Sequence, residues 1–236
     1  VGHSATLLLV LLAIAILAVA FAILAARAER KRREGLADLA DRLGFAFHPS
    51  DPFGLAERYG GFAPLARGDS RYAYNVLTGE RPPLGVFAFD FHYQTYSTDS
   101  KGRRHTHHHH ASHLVVDHPY DLGRLLVRPE GFLDKVADAL GFDDIDFESA
   151  EFSRRYWVKA GDKRLAYDLL HAQQIEFLLA QPKFGLICEG GSTLVSLGEK
   201  RADPEGFEQM LRLARGFQER VPEYVRKDRA LAGARP

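Results

Sequence analysis

The chain has 236 residues, 46% hydrophobic and 26% charged, with 31 Lys and Arg balanced by 31 Asp and Glu. That length is enough to bury a core in one domain, and the balanced charge argues against a nucleic-acid binder, which carries a basic excess or a basic face. A lone Cys188 excludes an intramolecular disulfide.

Residues Ala5 to Ala26 read "ATLLLVLLAIAILAVAFAILAA", without a charge and with Thr6 as the one polar side chain. A helix of this length is about 33 Å long, enough to cross a hydrocarbon layer of about 30 Å. A cleaved secretory signal would need a basic segment before a shorter apolar stretch, and the residues before Ala5 offer only His3 as a titratable side chain. Behind the apolar stretch come Arg27, Arg30, Lys31, Arg32 and Arg33. By the positive-inside rule this basic side stays in the cytoplasm, which predicts a single-pass protein of the cell membrane with residues 1–4 outside and its domain in the cytosol. The five basic residues are also candidates for electrostatic contact with anionic lipid. Val1 fits a GTG start codon and therefore a bacterial gene.

Residues 27–44 continue as a juxtamembrane basic and amphipathic helix, with Leu36, Leu39, Ala40 and Leu43 at helical spacing, a stop at Gly44, and a continuation or kink at Gly35. Residues 45–222 then read as one α+β domain, β-rich at first and αβ in texture later. "FAFH" and "RYAYNVL" are strands, and "GERPPLG" reads as a breaker. In "VFAFDFHYQTY" Phe87, Phe89, Phe91 and Tyr93 alternate with Val86, Ala88, Asp90, His92 and Gln94, which predicts a half-buried strand with the aromatics on one side.

The polar turn "STDSKGRR" should pair that strand with "HTHHHHASHLVVD", where six histidines fall between His105 and His113. His105, His107, His109 and His113 share one face, and His108 and His110 the other. Imidazoles two apart on a strand point the same way and can share a metal. The candidate ligands are His105, His107, His109 and His113, with Asp90 and His92 from the neighbouring strand. The competing reading is an exposed polar hairpin that becomes core at Leu114, whose imidazoles would charge together on mild acidification.

Further on, "LGRLLVRP" reads as a strand, "PEGFLDKVADALG" as a helix, "RRYWVKA" as a strand and 163–180 as one helix. "FGLICE" and "TLVSLG" form a hairpin across "GGS", a last helix spans about 203–220, and 223–236 reads as a flexible tail. Cys188 reads as a small buried hydrophobe. The acidic run fails as a calcium loop: with Asp144, Asp146 and Glu148 at positions one, three and five, Ser149 stands at six and Arg155 at twelve. Either Tyr156 or Trp157 should be core and the other exposed. Phosphate-loop, HExxH, GxSxG, GxGxxG and paired CxxC motifs do not occur.

Residues 127–180, with "RPEG", "GFDDIDFESAEFSRR", an aromatic strand and "AYDLL" opening a helix, resemble a group of bacterial membrane-anchored proteins of unknown function. The "FDF.Y.T" strand, the His-containing hairpin and the N-terminal span are similar as well. The resemblance implies the architecture and brings no activity, substrate or catalytic residue. The expected fold is therefore one transmembrane helix followed by a single α+β domain. The expected role is a non-catalytic binding, sensing or scaffolding module without a cofactor, partnered by the membrane and by another protein, not by nucleic acid. The alternative is a metal-dependent hydrolase holding zinc or another divalent ion at the histidine cluster. A third reading is a small lipid-binding barrel with a basic rim beside the anchor.

Overall fold

The computed structural model describes residues 2–81, 84–129, 145 and 147–231. The expected helix within "PEGFLDKVADALG" and the residues Asp144 and Asp146 lie outside the described residues. The first element is a 42-residue helix, α1 (Gly2–Leu43), long and apolar enough over its N-terminal part to cross a membrane. It passes Gly35 without interruption. There the helix runs close to another element, since a Cβ on Gly35 would lie 3.4 Å from Pro204.

Eight strands follow: β1 (Ala46–Ser50), β2 (Asp69–Arg81), β3 (Leu84–Thr98), β4 (Arg104–Asp117), β5 (Arg124–Arg128), β6 (Trp157–Ala160), β7 (Gly185–Glu189) and β8 (Ser192–Ser196). They form one antiparallel sheet in the order β1-β2-β3-β4-β8-β7-β5-β6. The fold class is α+β, as the sequence predicts, and one sheet joins the β-rich and αβ halves. The segment "GERPPLG" does not stop β2 early: Gly79, Glu80 and Arg81 continue the strand and pair with Val86, Gly85 and Leu84 of β3.

The remaining helices are α2 (Leu55–Arg58), α3 (Ala150–Arg155), α4 (Lys163–Leu169), α5 (Ala172–Leu179), α6 (Pro204–Glu219) and α7 (Glu223–Asp228). Side chains of Ser149, Asp162 and Asp203 cap α3, α4 and α6 by accepting from backbone amides, and Pro204 occupies the first turn of α6. The single helix expected over 163–180 is two. Leu170 and His171 leave helical geometry, and the His171 ring reaches the Arg220 carbonyl at 3.0 Å. The expected flexible tail instead folds over Glu223–Asp228, because Val225 buries against the core and Tyr224 donates to Asp168 at 2.8 Å.

The sheet separates two apolar layers. On one face α1, through Leu36, Leu39 and Ala40, and α6, through Phe207, Met210 and Phe217, cover Val86, Ala88, Leu114 and Val116. On the other, Leu55, Tyr59, Phe62 and Leu65 of the 55–65 segment cover Phe87, Phe89, Phe91 and Val115. The central strand β3 is therefore not half-buried as its pattern predicts. From Val86 to Tyr93 it is buried on both faces, because each has its own cover. Tyr156 is buried and Trp157 is 46% exposed, dividing the pair as alternation requires.

Candidate functional site

Asp90 stands on the helix-covered face of β3 and is fully buried. A carboxylate so placed must be paired and hydrogen-bonded to remain charged. Its partner is Arg32, one of the basic residues that follow the apolar stretch. Arg32 Nη2 lies 2.7 Å from Asp90 Oδ1 and 2.9 Å from Oδ2, and Nε lies 3.1 Å from Oδ2. Ser112 Oγ donates to Oδ1 at 2.5 Å and Asn75 Nδ2 to Oδ2 at 3.0 Å. The remaining guanidinium nitrogen of Arg32 donates to the Ala202 carbonyl at 2.6 Å, and the Ala202 amide donates back to Ser112 at 2.8 Å. The planar fork of arginine suits this bidentate arrangement, which a lysine could not reproduce.

Local backbone geometry brings these groups together. A bulge between Tyr74 and Leu77 in β2 turns two successive residues toward Asp90. Asn75 takes φ 49°, a left-handed conformation that asparagine tolerates better than most residues. One turn back along α1, Glu29 accepts from Asn75 at 3.3 Å and from Arg201 at 2.6 Å. Two residues of α1, the helix that carries the apolar stretch, thus tie it to β2, to β3 and to the β8–α6 loop.

Beyond Asp90 on the same face lie His92, His108 and His110. His92 is buried. Its Nδ1 donates to the Ser70 carbonyl at 3.2 Å, so in the neutral ring Nε2 accepts from His108 Nδ1 at 3.0 Å. Tyr74 donates to His110 Nδ1 at 2.8 Å. Burial foremost, and then the Asp90 carboxylate, pushes the Tyr74 hydroxyl up to about 12, which keeps it a donor. Burial, followed by repulsion from His92 and Arg201, lowers the pKa of His110.

The opposite face carries the other histidines. His105 meets Asp99 at 3.3 Å, His107 meets Ser97 at 2.7 Å, and His109 meets Thr95 at 2.7 Å while stacking on Tyr93 at 4.6 Å. His113 is buried between Phe89 and Phe91, and burial pushes it down to about 4. The six candidate ligands do not converge: His105, His107, His109 and His113 share one face, while Asp90 and His92 lie on the other with Asp90 engaged by Arg32. Among the described residues no group of three His, Cys, Asp or Glu side chains is placed to hold a metal ion. The histidine strand is exposed through His110 apart from the half-buried His109, and becomes core at Ala111, three residues before Leu114.

Of the five basic residues proposed for the lipid surface, Arg27, Arg30, Lys31 and Arg33 are exposed, while Arg32 turns inward to Asp90. Asn75, Ser112, Ala202, Glu29 and Arg201 were not singled out in the sequence. The signal that could have found them is Asp90 itself, a charge in line with Val86 and Ala88.

No protein-family model and no curated relative matches the chain. Its fold is similar to the crystal structure of the mycobacterial trehalose monomycolate transport factor A, TtfA. The TM-score is 0.58 at 16% identity, covering 81% of this chain and 96% of that one. The likeness is one of fold.

Proposed function

We propose that the chain is a single-pass protein of the cell membrane whose α+β domain lies in the cytosol and works without catalysis, as a binding or scaffolding module held at a set position under the bilayer. The buried Arg32–Asp90 pair carries this reading. It joins the membrane-continuous helix to the centre of the sheet, so the domain is not a freely tethered unit but an extension of the span. The bidentate pair consumes the carboxylate that the hydrolase reading needed as a ligand. The basic residues behind the apolar stretch support the cytosolic side. A protein of similar fold serves as a transport factor, and a rigidly mounted domain suits an accessory that organises membrane transport.

Two measurements test this. A reporter fused after Pro236 that is active only in the cytosol should be active. Activity solely of a reporter that works outside the cytosol would refute the orientation. A photo-crosslinker placed at Arg212, beside the open groove of about 850 Å³ between the β8–α6 loop and α6, should trap a protein in native membranes. Crosslinks to lipid alone would refute the scaffolding role.

A further inference from the structure

We infer that the tip of the β3–β4 hairpin is a second membrane contact, built to rest on the anionic headgroups where α1 enters the bilayer. The inference rests on α1 spanning the membrane, and it goes beyond the function proposed above.

Two fixed points orient the helix over the sheet. Just past its C-terminal end, the Phe45 ring fills the space over Gly79, where an added Cβ would meet it at 2.1 Å. Gly79 pairs with Val86 of β3. Thirteen residues earlier, Arg32 grips Asp90. Going toward the bilayer, the helix therefore travels from the Val86 rung to the Asp90 rung, the direction in which β3 runs on to Thr98. The helix covers about 20 Å between these points while the strand covers about 14 Å, so the two cross obliquely.

From Asp90 the hairpin continues for eight more residues to Thr98, about 27 Å along the strand and roughly 19 Å along the helix axis. From Arg32 back to Ala26, where the apolar segment ends, is only about 9 Å. The headgroup layer is about 5–7 Å thick on each side of the hydrocarbon. Along the helix axis the tip reaches about 10 Å beyond Ala26, so it lies at the level of that layer with α1 tilted by roughly 30° and the hairpin leaning toward the membrane plane, a tilt within the range of spanning helices. β2 leaves it early, with Asp69 paired to Gln94, so beyond Gln94 the hairpin projects beside the helix.

Its tip has the chemistry of an interfacial contact. Residues 98–106 hold Lys101, Arg103 and Arg104 against one Asp99, a net charge of +2 before any histidine is counted. Asp99 is spent on the turn: its carboxylate accepts from the Lys101 and Arg103 amides, both at 2.9 Å, from Arg103 Nε at 2.9 Å and from His105. Gly102, at φ 78°, completes the reversal and leaves Lys101 exposed. Arg104 lies 3.5 Å from the ring centre of Tyr96, which is 38% exposed. Tyrosine is enriched at membrane interfaces, and Lys and Arg are drawn to an anionic surface. Arg27, Arg30 and Lys31 form the matching collar on α1.

The test uses the full chain in nanodiscs of phosphatidylglycerol and phosphatidylcholine. A dye at Ser100→Cys reports the tip, and the same dye at Glu57→Cys reports the Val86 end; Cys188 is buried and stays unlabelled. Lipid carrying a nitroxide on its headgroup should quench the Ser100 dye at least threefold more than the Glu57 dye. Replacing Lys101, Arg103 and Arg104 together by Glu, or omitting phosphatidylglycerol, should bring the two to the same level. Equal quenching from the outset would overturn the contact, and quenching that survives charge reversal would overturn its recognition of anionic lipid. Flotation with the bilayer checks the span separately. Because both leaflets are exposed in a nanodisc, the result does not depend on the side the domain occupies in the cell.

Discussion

Arg32→Met removes the guanidinium from a carboxylate that solvent does not reach. Asp90 is fully buried and would keep only the Asn75 and Ser112 donors, while the Ala202 carbonyl would lose its 2.6 Å partner. Breaking a buried pair by deleting one member costs about 3–5 kcal/mol. The Arg32 side chain is 14% exposed, so water can partly replace it and the lower end applies, about 3 kcal/mol. For a domain of this size that corresponds to a fall in Tm of roughly 6–12 °C. Unfolding of the full chain in detergent micelles, followed by the single Trp157 and by circular dichroism, measures it. Arg30→Met supplies the comparison, because Arg30 pairs with Glu34 on the open helix surface and its loss should be undetectable. Arg32→Met and Asp90→Leu combined should be more stable than Arg32→Met alone, since no buried charge is then left unpaired. Equal stability of Arg32→Met and Arg30→Met would refute the clamp and, with it, the rigid mounting of the domain.

Two further outcomes follow from burial. His113 and His118 are pushed from an ordinary 6.5 down to about 4, so between those values the unfolded chain binds protons that the folded chain does not. Their contribution is therefore present above pH 6.5 and is lost as the pH falls toward 4, about 2 kcal/mol for His113 alone by pH 5. Denaturant midpoints taken from pH 7 to 5 should slope less in His113→Leu than in the parent, and identical slopes would contradict the burial of a neutral ring. The Cys188 thiol, raised to about 12 by burial, should resist an aromatic disulfide reagent at pH 8 in the folded chain and react once denaturant is added. Labelling at the rate of a free thiol without denaturant would show that β7 is not packed as described.

The elements were legible wherever one residue pattern had one cover. β4, β7, β8 and α6 follow from alternation, a glycine turn and the Asp203–Pro204 cap. The burial of β3 on its second face was not legible, because its partners lie far off in sequence: Leu36 and Leu39 precede it by some fifty residues and Met210 follows by more than a hundred. The same separation hid the clamp. Arg32 sits in a run of five similar basic residues, and only the helical phase that turns it inward distinguishes it from Arg30 or Lys31. The tail failed for the opposite reason. Its composition is that of a frayed end, yet the burial of Val225 with the contacts of Tyr224 to Asp168 and of Arg229 to Asp162 anchors a short helix against the core.

The histidines show why residue type alone misleads here. Strand geometry divides them by parity, so neighbours in sequence are farthest from sharing a ligand, and each face meets a different environment. On one face Asp90, the natural second ligand, is already paired with an arginine delivered from α1. On the other, the imidazoles hydrogen-bond to Ser97 and Thr95 or stack on Tyr93, contacts that stiffen a two-stranded projection lacking a third strand beyond Gln94. A free hairpin of that length is marginal in water. A ladder of cross-strand His–Ser and His–Thr pairs is one way to hold such a projection straight without apolar residues, which would otherwise invite it to aggregate. On that argument the histidines keep a polar arm extended beside α1, and the chemistry at the arm's end belongs to Lys101, Arg103 and Arg104.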